Sequence, residues 1–61
     1  MGLLSSLIVL FSNIAEAWYY RGIALDELGR HAEAVDSYDR AIAINPDYTK
    51  VKQNREIAIK N

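Results

Sequence analysis

Two stretches of this chain match one another. Arg21-Gly22-Ile23-Ala24-Leu25 aligns with Arg55-Glu56-Ile57-Ala58-Ile59 at an offset of 34 residues, with three identities in five positions and Leu25/Ile59 conservative. Ala17 aligns with Val51 in the same register. A fixed period of this length marks a repeating supersecondary unit that buries its apolar face by stacking on neighbouring units. With 61 residues the chain holds fewer than two periods. A core of that size rarely supplies more than about 3–5 kcal/mol. Disulfides and thiolate metal sites are excluded because there is no cysteine, and a multi-histidine site because His31 stands alone. Oligomerisation is the remaining remedy. An apolar fraction of 51% supports a packed core rather than disorder.

The local pattern is helical throughout. Met1 to Ala15 carries no charged side chain, and Leu3, Leu4, Leu7, Ile8, Phe11 and Ile14 recur at spacings of three and four. This run is too short for a membrane-spanning helix, which needs roughly 20 residues. A secretory leader is disfavoured because the first residues lack Lys and Arg. A second helix is expected over about 15–28. Asn13 and Glu16 have the form of a capping box at its start, although nothing around Ser12-Asn13 prevents continuity with the first segment. Gly29 is suited to close it. A third helix is expected over about 32–44, with Ala34, Val35, Tyr38, Ala41 and Ile42 as its apolar stripe and Asp36/Arg40 paired on the other face. Asn45-Pro46 ends it. Asp47 is expected to cap a polar helix over about 48–60, whose apolar content is Val51, Ala58 and Ile59.

Ala15-Glu16-Ala17-Trp18, Gly22, Leu25, Leu28-Gly29-Arg30, Glu33-Ala34, Tyr38, Ala41 and Asn45-Pro46 together resemble one complete tetratricopeptide repeat, covering residues 15–48. The resemblance implies an all-α fold and three parts. Residues 1–14 form an apolar helix, a degenerate half-repeat or oligomerisation segment; 15–47 form the repeat; 48–61 form a capping helix. It also implies repeat-packing roles. Gly22 and Ala34 permit close helix approach, Trp18 and Tyr38 fill the space between helices and are expected to be substantially buried, Leu25 stands where the family commonly has an aromatic, Ala41 contacts the next repeat, and Pro46 sets the turn. Arg21 stands where the family usually has leucine, although a subset carries arginine. Lys52 and Glu56 replace the Trp and Gly that a following repeat would have.

The residues exclude several functional classes. A net charge of −1 rules out a globally basic nucleic-acid binder, and four cations in the last helix are too few for more than weak phosphate contact. Asp26 and Glu27 are adjacent and diverge by about 100° on a helix, which reads as a solvated face. His31 at the inter-helix turn reads as packing or surface, and the three glycines make no phosphate loop. The chain is therefore read as a non-enzymatic protein-interaction module with no cofactor and no metal. Its partner groove, by resemblance, comprises Glu16, Tyr19, Ile23, Asp26 and Glu27, an acidic surface with an apolar centre that suits a basic amphipathic peptide or another copy of the chain. Leu3, Leu4, Leu7, Ile8 and Phe11 are expected to form the self-association surface of a homodimer or higher even oligomer. The competing readings are a membrane-peripheral or anchored element and a fragment of a longer array. The lack of cysteine fits a reducing cytoplasm. Charge is uneven: residues 16–47 hold seven acids and three arginines, whereas Lys50, Lys52, Arg55 and Lys60 face only Glu56 in the remainder.

Overall fold

The computed structural model describes the backbone of residues 2–61 and the side chains of residues 13–61. Its helices are α1 (Gly2–Glu27), α2 (His31–Ile44) and α3 (Thr49–Lys60), with no strand among the described residues. α1 runs without a break through Ser12-Asn13. The Asn13/Glu16 capping box therefore does not form, because a cap needs non-helical backbone at its first residue. No glycine or proline lies between Leu3 and Arg21, and an established helix propagates at little cost per residue.

The two turns have different physics. Gly29 takes φ +80°, and around it Arg30 N–H donates to Leu25 C=O at 2.9 Å while Gly29 N–H donates to Asp26 C=O at 3.0 Å. This pair of bonds is the Schellman closure of α1, and it needs the left-handed backbone that glycine adopts freely. At the second turn Asn45 is extended, and its side-chain oxygen accepts from Asp47 N–H at 3.2 Å. The expected Asp47 cap is not made. Tyr48 occupies the N-cap position of α3 and makes no side-chain cap bond.

Asp26 meets His31 while Gly22 meets Tyr38, and His31 and Val35 lie beside Ala58 and Ile59 while Asp39 and Ile42 lie beside Arg55 and Lys52. These pairs make α1 and α2 antiparallel, and likewise α2 and α3, so α1 and α3 run parallel. The core is Leu25, Ala34, Tyr38, Ala41, Val51 and Ala58, with Trp18, Tyr19, Ile23, Val35, Ile42 and Tyr48 packed against it. A Cβ added to Gly22 would lie 2.6 Å from Tyr38 Cδ1, inside contact distance. The phenol ring thus occupies the space a side chain at position 22 would need.

Trp18 packs against the core and is largely buried, as expected, and the guanidiniums of Arg40 and Arg21 lie over its ring at 4.9 and 5.4 Å from the centroid. Their stems and charge cover what a neighbouring repeat would cover. Ile59 is 55% exposed and takes no part in the core. Asp36 and Arg40 pair at 3.4 Å as expected.

Gly22→Ala is expected to lower stability by about 1–3 kcal/mol, the usual cost of overpacking. Thermal unfolding followed by circular dichroism reads this directly. A melting temperature equal to or above that of the unaltered chain would contradict the packing described.

Candidate interaction face between α1 and α3

Residues one repeat apart lie side by side across α1 and α3. Asn54 Nδ2 donates to Tyr19 Oη at 3.4 Å, a separation of 35 in sequence. The Tyr19 ring also packs near Tyr48 at 5.4 Å, Tyr20 at 5.5 Å and Tyr38 at 6.1 Å between centroids. Tyr19 therefore ties all three helices together beneath this face.

Of the five groove residues inferred from sequence, Tyr19, Ile23 and Asp26 are half-buried, and Glu16 and Glu27 are exposed. Asp26 is not a solvated carboxylate. It accepts a hydrogen bond from the His31 ring across the α1–α2 turn. Sequence periodicity gave no hint of this pair, because its members lie five apart with a non-helical turn between them.

The sequence reading also left out the α3 side. Asn54 fixes which stripe of α3 faces α1. Positions three or four residues away on the helix share that face, which adds Lys50 and Ile57, with Lys60 one turn further on. Ile57 is 55% exposed and Tyr20 is 61% exposed. The 34-residue offset holds the missed signal, since it carries Glu16, Tyr20, Ile23 and Asp26 onto Lys50, Asn54, Ile57 and Lys60.

On the opposite side, between α2 and α3, a shallow cavity of about 370 Å³ is lined by Asp39, Ile42, Lys52, Arg55 and Glu56. Arg55 Nε donates to Asp39 at 2.5 Å beside it. That ion pair is an intramolecular use of the charge imbalance between the acidic middle and the basic end of the chain.

Burial favours the neutral form of two phenols, Tyr38 and Tyr48. Burial pushes the Tyr38 hydroxyl above its ordinary value; Asn54 opposes this by hydrogen bonding, and the Asp26 carboxylate adds to it. Tyr48 is raised by burial first and then by the charge of Glu16. No group of three or more metal-ligating side chains occurs among the described residues.

The tetratricopeptide repeat family model matches residues 15–48, the segment that contains the α1–α2 hairpin and the turn into α3. The chain belongs to the tetratricopeptide repeat family. No match was found among curated proteins or among solved structures. Tetratricopeptide repeats are typically non-enzymatic modules for protein–protein interaction.

The raised phenols set a pH dependence. A tyrosine whose folded pKa lies above its unfolded value of about 10 contributes stability that is complete below that pH. That stability is lost as pH rises through the folded value. The melting temperature is expected to fall as pH rises above about 10, and to fall less steeply in Tyr38→Phe, which has no phenol to ionise at that site. Identical slopes in the two proteins would remove Tyr38 as the cause.

Proposed function

We propose that this tetratricopeptide module self-associates through the apolar stripe Leu3, Leu4, Leu7, Ile8 and Phe11, forming a homodimer or a higher even oligomer, and that it presents the α1–α3 face to protein partners without catalysing a reaction. The side chains of this stripe lie outside the described residues, and their role is read from their spacing. The observation that carries the proposal is the length of α1. Its partner α2 ends at Ile44, level with Glu16 when the Gly22/Tyr38 pairing is extended along the hairpin. The thirteen residues from Gly2 to Ile14 continue the helix by about 20 Å, at 1.5 Å per residue. A stripe of five large apolar side chains in water forms a patch of the kind that marks an interface.

A basic amphipathic peptide is the second partner in this reading. Exposed Glu16 and Glu27 flank Tyr20 along α1, which suits cationic side chains. Such a peptide also meets Lys50 and Lys60 on α3, so its outer edge must be neutral or acidic. A membrane-peripheral role has less support. The polar face of the N-terminal segment offers Ser5, Ser6, Ser12 and Asn13 where membrane-surface helices usually carry Lys or Arg. Among the described residues no helix is long and apolar enough to cross a membrane. The lack of cysteine favours a cytoplasmic setting.

Leu7→Glu combined with Ile8→Glu tests the proposal. Sedimentation equilibrium is expected to show a lower mass than that of the unaltered chain at the same concentration. Retention of the original mass would refute this interface, and co-sedimentation of the unaltered chain with lipid vesicles would favour the membrane alternative.

A further inference from the structure

The offset that relates α1 to α3 also reverses their charge. Glu16 corresponds to Lys50 and Asp26 to Lys60, while between them Ile23 corresponds to Ile57 and Tyr20 to Asn54. The two helices run parallel and stand level with one another, as the Tyr19–Asn54 hydrogen bond fixes. The open face therefore has an acidic wall and a basic wall at matching heights. Half-buried Ile23 and exposed Ile57 form an apolar line between them.

A complementary surface must put cations over α1, carboxylates over α3 and apolar groups in the middle. This face meets that description itself when turned through half a revolution about an axis running along the groove. The rotation lays α1 of one copy over α3 of the other with no shift along the helix direction. Glu16 then faces the partner's Lys50, exposed Glu27 the partner's Lys60, and Ile23 the partner's Ile57. Two-fold symmetry makes each contact twice. The other in-plane half-turn, about an axis across the groove, lays α1 on α1 and brings Glu16 to the partner's Glu27. The charge pattern selects the first arrangement and rejects the second.

We infer that the α1–α3 face is a two-fold interface between two copies of this chain, with its axis parallel to the helices. The inference rests on the self-association reading and adds a second contact to it. At 3.6 residues per turn the N-terminal apolar stripe and the Glu16/Tyr20/Ile23 stripe lie on nearly opposite sides of α1, so the two contacts do not compete. Exposed charges of this kind set orientation and association rate more than strength. The uncovered area of Tyr20 and Ile57 supplies the apolar part.

Two charge-reversed chains test it: Glu16→Lys with Glu27→Lys, and Lys50→Glu with Lys60→Glu. In the first both walls are basic, and in the second both are acidic. Each alone is expected to self-associate at least about tenfold more weakly than the unaltered chain, because the like-charge walls now face one another. Mixed in equal amounts, each also carrying Leu7→Glu with Ile8→Glu to remove the N-terminal contact, they are expected to form a one-to-one heterodimer, read by native mass spectrometry. Unchanged self-association of each variant, or failure of the mixture to hetero-pair, overturns the inference. If either reversal lowers helix content, Glu16→Gln and Lys50→Gln serve instead. Each should weaken association a few-fold and flatten its salt dependence, and unaltered salt dependence overturns the inference. The outcomes separate the two contacts: Leu7→Glu with Ile8→Glu probes the N-terminal stripe alone, and the charge reversals probe this face alone. An unaltered chain that stays monomeric overturns both.

Discussion

The close approach of α1 and α2 at Gly22 and Tyr38 is the constraint from which the rest follows. Without a side chain at position 22 the phenol ring lies directly against the α1 backbone, 1% exposed. That contact brings Ala34 and Ala41 of α2 to complete burial. It also holds the Tyr19 ring close to that of Tyr38, and through Tyr19 it sets the position of Tyr48 and Asn54 on α3. One small residue thus sets the spacing of the hairpin, and the hairpin sets the height at which α1 and α3 meet. Any larger residue at position 22 would separate the helices and shift the two walls of the open face relative to one another.

The remaining interactions adjust this frame. Arg21 Nη1 donates to Ser37 Oγ at 2.6 Å, which satisfies the buried hydroxyl of α2. Among the described residues no buried side-chain nitrogen or oxygen lacks a partner. Arg30 and Glu33 make a two-pronged exposed pair at 2.9 Å, a contact of the kind worth about 0–1 kcal/mol. The edges of the repeat are where packing is incomplete. Trp18 is covered by arginines rather than by a second repeat, Leu28 is 71% exposed and Ile14 is 47% exposed. An array would bury such positions between neighbours.

Backbone chemistry made the ends of the hairpin legible in the sequence. Gly29 had to be the left-handed closure, and the residue before Pro46 could not remain helical. The alanine and tyrosine stripe of α2 was legible because a period of 3.6 over fourteen residues is unambiguous. The start of α1 was not. A capping pair at Asn13/Glu16 and an unbroken helix differ by a small local free energy, and the absence of a breaker decided it. Burial of Trp18 was legible because a large aromatic on the apolar stripe of α1 meets the core, but its cover by Arg21 and Arg40 was not. The His31–Asp26 bond crosses a turn where no periodic rule applies. The family resemblance drew attention to the α1 side of the open face only. The α3 wall was hidden because Lys50, Asn54, Ile57 and Lys60 read as an ordinary polar helix until the repeat offset is applied to them.

A single repeat with one flanking helix is a small core, and the account holds that a second copy supplies what an array normally would. If so, association and folding are linked, and stability depends on protein concentration. The direct measurement is sedimentation equilibrium and thermal unfolding of the same samples across a wide range of concentration. The account predicts that mass rises toward an even multiple of 6.9 kDa and that the melting temperature rises with it. A 6.9 kDa species at every concentration, fully helical and with a constant melting temperature, would contradict it.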